Sequence, residues 1–120
     1  MSQREDSVKR NRFARELHRF LRRSAAIASD PAASWPDFCQ GVQAALKKLE
    51  QTETAALYSP YYTEMLRLAE SVRLRAAAPE GDMAEMSVWL PREMNRLEKM
   101  RRVGSYQRSG HKRYENEEWE

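Results

Sequence analysis

Apolar residues recur at steps of three and four near the start of the chain, which is the spacing of one face of an α-helix. The pattern predicts a helix over residues 11–28. Its inner face consists of Phe13, Leu17, Phe20, Leu21, Ser24, Ile27 and Ala28. The Asp30-Pro31 pair ends the helix, because the residue before a proline is pushed out of the α region.

The same helix carries its basic residues on the side away from the apolar face. Successive residues of a helix turn by about 100°, so a set of arginines aligns along the outer side. The set is Arg12, Arg15, Arg19 and Arg22. The helix is therefore predicted to bury one side and present guanidinium groups on the other.

Two further helix starts are visible in the sequence. Ser34-Trp35-Pro36-Asp37 has the spacing of a capping box, in which the hydroxyl and the carboxylate each accept a backbone amide of the other residue. The apolar stripe that follows is Phe38, Val42, Ala45, Leu46 and Leu49. Ser59-Pro60 starts a third helix, since proline is tolerated in a first turn. Its inner face is Tyr61, Met65, Leu68, Ala69, Val72 and Ala76.

A fourth amphipathic segment follows a turn at residues 78–82. Its apolar residues are Met83, Met86, Trp89, Leu90, Met94 and Leu97. Pro91 either kinks one helix or opens a new one at its first position. A second basic stripe, Arg92, Arg96 and Lys99, points away from the apolar face, and Gly104 is the expected end of the helix.

These patterns predict an all-α fold, a compact antiparallel bundle of four to five short helices with a flexible C-terminal tail. Residues 1–104 form the bundle domain, and residues 105–120, which lose apolar periodicity, form the basic and then acidic tail. The core is thin, so another subunit could complete the packing. Interface candidates, with the edge of the core as the alternative position, are Tyr62, Leu66, Leu74 and Val88.

Length and cysteine content narrow the class of protein. The 120 residues suit a single domain. Cys39 is the only cysteine and cannot form an internal disulfide, which favours a reducing, cytoplasmic location. No apolar run approaches the roughly 20 residues of a membrane span, so no membrane partner is expected.

The charge is unevenly distributed along the chain. Residues 1–23 carry eight basic and three acidic side chains, and residues 91–113 carry eight and two. Between them, residues 24–90 carry five basic and nine acidic side chains, and residues 114–120 add four glutamates. The net charge of +3 therefore hides two concentrated basic segments, which indicate a polyanionic partner.

Arginine outnumbers lysine in both basic segments, which suits bidentate contact with phosphate. The predicted nucleic-acid contacts are Arg12, Arg15, Arg19, Arg22, Arg92, Arg96, Lys99, Arg102, Arg108, Lys112 and Arg113. Tyr106 and Tyr114 are available to stack on exposed bases. The alternatives are docking on an acidic protein and a merely solvated basic face. The acidic end could cover the basic surface or be a solvated tail.

Motifs for catalysis are largely absent from the sequence, and no cofactor or metal site is expected. Phosphate loops, nucleophile elbows and paired cysteines are missing, and His18, Cys39 and His111 have no metal-ligand spacing. Arg12 and His18 stand in an Arg-x5-His arrangement that resembles the signature of HEPN-type helical ribonucleases. The resemblance implies that Arg12 would stabilise phosphate charge while His18 moves a proton of the attacking 2′-hydroxyl, usually across a dimer.

The sequence favours a small non-catalytic helical subunit that binds the nucleic acid backbone, RNA or DNA, without sequence preference. It would act within a larger ribonucleoprotein or protein assembly, or as a homo-oligomer. The second hypothesis is an adaptor or inhibitor that docks on an acidic protein surface. The third is a metal-independent HEPN-like ribonuclease.

Overall fold

The chain forms four helices over its described part. A computed structural model describes the backbone of residues 3–114 and the side chains of residues 6–103. The helices are α1 (Gln3–Ala28), α2 (Trp35–Glu50), α3 (Pro60–Ala76) and α4 (Met83–Tyr114), and these residues contain no strand. The predicted all-α class is confirmed.

Helix α1 contacts each of the other three helices, most extensively α2. The two run antiparallel, because Lys9 near the start of α1 pairs with Glu53 just beyond α2 at 3.2 Å, while Ile27 near its end lies against Gly41. Helices α3 and α4 are also antiparallel. Arg96 of α4 reaches back to Glu64 near the start of α3 at 3.3 Å.

The core is formed by the inner faces that the sequence pattern indicates. Its largest fully buried side chains are Leu17, Phe20, Leu21, Phe38, Val42, Met65, Val72, Met86 and Leu90. Each stabilises the fold by about 1.5–3 kcal/mol relative to an exposed position. Ser24 is buried among them and donates its hydroxyl to the Phe20 carbonyl at 2.9 Å, so its polar group is satisfied.

Of the four residues that lie off the apolar stripes, three are exposed and one is not. Leu66, Leu74 and Val88 are exposed. Tyr62 is half-buried and packs against the core, which places it at the core edge, the alternative position named for it.

The predicted caps of α2 and α3 are present. Asp37 N donates to Ser34 Oγ at 3.3 Å, and Ser34 N donates to an Asp37 carboxylate oxygen at 3.0 Å. The hydrogen bonds from Ser34 lower the pKa of Asp37, because they favour its ionised form. Ser59 accepts from Tyr62 N at 3.2 Å and starts α3.

The ends of α1 and α4 differ from the prediction. α1 begins at Gln3 rather than residue 11. α4 continues through Pro91 and Gly104 to Tyr114, so the predicted helix end at Gly104 is wrong and the boundary between bundle and tail falls inside a helix. A glycine costs a helix only about 1 kcal/mol, which a helix already formed over several turns can absorb. The predicted mobility of residues 105–120 stays a prediction, and residues 115–120 lie outside the described part.

The turn between α3 and α4 is fastened to the start of α2. Trp35 Nε1 donates to the Ala78 carbonyl at 2.9 Å, and Cys39 Sγ approaches the same oxygen at 3.8 Å. The Trp35 ring lies against the backbone of Gly81 so closely that a Cβ there would overlap the ring. The absence of a side chain at residue 81 thus lets the turn close over α2.

We expect Gly81→Ala to lower the free energy of unfolding by about 1–3 kcal/mol, because the rigid Trp35 ring must move and its hydrogen bond to Ala78 must distort. Urea unfolding followed by circular dichroism measures the change. The same substitution in a Trp35→Leu background should cost clearly less. An equal cost in both backgrounds would contradict this packing.

Candidate nucleic-acid interface

The four predicted arginines of α1 lie on its outer side and are all exposed, and we call them the α1 ridge: Arg12, Arg15, Arg19 and Arg22. Because the opposite side of α1 is buried, the guanidinium groups must point to solvent. Arg19 donates to Glu16 at 2.7 Å. The other three ridge arginines, and the neighbouring exposed Arg23, form no ion pair with any side chain of the described residues.

The predicted basic stripe of α4 is more strongly neutralised than the ridge. Arg96 lies between Glu93 and Glu64 at 3.0 and 3.3 Å, and these carboxylates raise its pKa. Arg102 lies 3.5 Å from Glu98, which Arg101 also contacts. Arg92 and Lys99 are exposed and have no ion pair within the described residues. The side chains of Arg108, Lys112 and Arg113 lie outside the described set.

A groove of about 370 Å³ opens where α1, α3 and α4 meet. Arg15 and His18 line it from α1, Tyr61 and Tyr62 from α3, and Glu98 and Arg101 from α4. Arg101 holds the Glu98 carboxylate through two hydrogen bonds, of 3.2 and 2.6 Å. The groove therefore combines aromatic, cationic and anionic groups beside the ridge.

His18 is one of the titratable groups that line this groove. Its burial lowers its pKa, and the positive charge of Arg22 lowers it further. Arg101 acts in the same direction, whereas Glu98 raises the pKa. The imidazole is therefore held in its neutral form at pH 7, and the cations of α1 and α4 both act on it.

A second groove, of about 210 Å³, adjoins the first and shares Asn11 and Tyr62 with it. Tyr58 forms its outer wall with 78% of its surface exposed, and the Arg10 guanidinium lies 5.9 Å from the centre of the Tyr58 ring. Together the two grooves follow α1 from Arg10 to His18.

Arg10, Tyr58 and Tyr61 are not among the site residues predicted from the sequence, and Tyr62 is predicted only as a subunit-interface or core-edge residue. The tyrosines predicted to stack on bases are Tyr106 and Tyr114, whose side chains are outside the described set. The available signal was three tyrosines around the Ser59-Pro60 helix start. Periodicity predicts Tyr61 on the inner face and Tyr62 off it, and it does not indicate that the three tyrosines lie beside α1.

Arg12 and His18, the pair that resembles the HEPN signature, are on different sides of α1. Six residues correspond to a rotation of about 120° from one face to another. His18 lines the groove, whereas Arg12 is exposed on the ridge and does not line it. Within one chain the two side chains therefore do not converge on a common point.

Neither a candidate metal site nor a candidate membrane span is found among the described residues. They contain no group of three or more His, Cys, Asp or Glu side chains placed to hold a metal ion. Among them, no helix combines the length and apolar character that crossing a membrane requires.

The pKa of His18 provides a test of the groove. We expect NMR titration to give a pKa below the ordinary 6.5, a higher value in Arg22→Gln and a lower value in Glu98→Gln. Unfolding restores the ordinary pKa, so the unfolded chain binds more protons at His18 than the native chain does as the pH falls below about 7. The contribution of His18 to the free energy of unfolding should therefore decrease as the pH falls from about 7 through the native pKa. A His18 pKa unchanged by both substitutions would contradict the arrangement.

Comparison with known proteins adds no functional assignment. No family model, curated protein or solved structure matches this chain. The inferred function therefore depends on the side chains described above.

Proposed function

We propose that this protein is a small non-catalytic helical subunit that binds the phosphate backbone of nucleic acid through the α1 ridge, within a larger ribonucleoprotein or protein assembly. The single observation that carries the proposal is the exposed row of four arginines, of which three have no ion-pair partner among the described residues. Unmatched arginines on one face attract a polyanion, and association is driven by release of the counterions that are condensed on the nucleic acid.

The geometry of the ridge favours phosphate over a single small anion. From Arg12 to Arg22 the ridge extends about 15 Å, at a helical rise of about 1.5 Å per residue. Each guanidinium can hold two phosphate oxygens in a planar fork. A linear array of this kind matches a repeating backbone, and backbone contact carries no sequence preference. On the α4 stripe, Arg92 and Lys99 are the best additional candidates.

A specific observation supports the alternative, an adaptor or inhibitor that docks on an acidic protein. Between α1 and α2 lies an apolar groove of about 490 Å³ lined by Ala26, Ile27, Gly41, Ala44 and Ala45. Arg23 and Lys48 flank it. A groove with cationic edges could hold an apolar side chain of an acidic segment. The backbone-binding proposal ranks first because the ridge is longer and carries more charge.

The divergent faces of Arg12 and His18 support binding over cleavage, so the ribonuclease hypothesis ranks third. In the HEPN comparison the arginine and the histidine act on one phosphate, usually across a dimer, so cleavage would require a second copy of the chain to bring the two groups together.

We expect Arg12→Gln/Arg22→Gln to weaken binding of an RNA or DNA oligonucleotide by more than its matched control, Arg67→Gln/Arg73→Gln on α3. Both variants lose two positive charges, but Arg67 and Arg73 are already paired with Glu64 and Glu70. The slope of log affinity against log salt should fall by about 1.4 for a single strand in the ridge variant. Fluorescence anisotropy over a range of salt concentrations measures both quantities.

Equal weakening in the ridge and control variants would indicate a general effect of net charge and overturn the assignment to α1. Absence of salt-dependent binding by the wild-type chain would overturn the proposed function itself. Tight binding of an acidic protein by the same ridge residues would instead favour the adaptor.

A further inference from the structure

The two grooves beside the α1 ridge present tyrosine rings next to arginines. Tyr58 and Tyr62 line the smaller groove, and Tyr61 and Tyr62 line the larger one. Arg10 lies at one end and Arg15 further along, with Asn11 between them on the same helix. We call this continuous surface the tyrosine groove.

We infer that the tyrosine groove binds single-stranded nucleic acid, with unpaired bases against Tyr58 and Tyr62 and the adjoining phosphates on the α1 ridge. The inference rests on the proposed function and names the form of nucleic acid that the surface selects. Proteins that bind single strands combine a cationic track for the backbone with aromatic rings on which bases stack.

Exposure of Tyr58 is the first argument for a base-binding role. Tyr58 is 78% exposed, so it contributes little to the core, and the Arg10 guanidinium lies beside its ring. Because it lies just before the capped start of α3 at Ser59, its backbone is anchored to a folded helix. A base that stacks on this ring would bury apolar surface that water now covers.

The groove between α1, α3 and α4 has the volume and the chemistry to hold a base. Its 370 Å³ falls within the range of about 300–1,000 Å³ typical of small-molecule pockets. Tyr62 supplies an aromatic face, and Asn11 supplies both a donor and an acceptor. A neutral His18 also supplies one donor and one acceptor, which suits the edge of a base.

Charge within the groove separates phosphates from bases. On the α4 side, Glu98 and Arg101 pair and cancel each other's charge, so this side attracts phosphate less than the ridge does. Arg15 lines the groove and also belongs to the ridge, and it has no ion pair with any described side chain. The backbone is therefore directed along α1, and the bases turn towards α3.

A duplex cannot use the tyrosine groove in this way, because its bases are stacked and paired inside the double helix. It can contact only the ridge. The inference therefore predicts that a single strand binds more tightly than a duplex of equal length, and that only the single strand depends on the tyrosines.

The test uses the full chain, single-stranded oligo(dT) and oligo(rU), and a DNA duplex of equal length at one salt concentration. We expect Tyr58→Ala to weaken single-strand binding about tenfold and to leave duplex binding unchanged, since one base–aromatic stack is lost. Tyr58→Phe should keep wild-type affinity because the ring remains. Leu74→Ala, another exposed apolar truncation, is the matched control and should change neither.

The outcomes separate this inference from the proposed function. Equal affinity for single strand and duplex, with Tyr58→Ala binding both as tightly as the wild type, would exclude the tyrosine groove. If Arg12→Gln/Arg22→Gln still weakens binding of both oligonucleotide forms, the proposed backbone binding stands. If none of the three oligonucleotides binds, both proposals fail. If Tyr58→Phe loses as much as Tyr58→Ala, the phenol hydroxyl rather than ring stacking is required, and the inference is overturned.

Discussion

The rest of the structure depends on the burial of one side of α1 against three other helices. Phe20 and Leu21 are almost completely buried, and α1 packs on each of the other three helices, most extensively on α2. Because a helix has fixed angular spacing, burying these residues forces the arginines of the same helix into solvent. The core and the candidate interface are thus two sides of one helix. Rotation of α1 about its axis would expose the buried residues and turn the arginines away from solvent.

The distribution of glutamates explains why the α1 ridge differs from the other basic faces. On α3 and α4 several arginines stand three residues after a glutamate and contact it, as in Glu70 with Arg73 and Glu98 with Arg101. Such exposed pairs contribute only about 0–1 kcal/mol to stability. Their larger effect is to cancel local charge. Within the described part of α1 the corresponding pair is Glu16 with Arg19, so most of the ridge stays uncancelled.

Close backbone approaches set the positions of the helices around α1. Gly41 lets Ile27 lie directly on α2, and Gly81 lets the Trp35 ring lie on the turn before α4. The first contact brings α2 close to α1, and the second holds the turn before α4 against the start of α2. The tyrosine groove forms where α3 packs beside α1, which places Tyr61 and Tyr62 next to Arg15. Arg15 then serves both the ridge and the groove.

The sequence by itself determined the features that depend on neighbouring residues. The helix starts at Ser34 and Ser59, the inner faces and the outward arginines of α1 all follow from local capping and angular spacing. Gly104 was misleading, because its local cost is outweighed once a helix is already propagating. Pro91 left two possibilities open, and the structure shows one helix that continues through it. Only the tertiary structure decided that Arg96 is cancelled by Glu64 and that tyrosines from the start of α3 meet Arg15 and His18. Those contacts join residues more than thirty positions apart, and the folded packing alone brings them together.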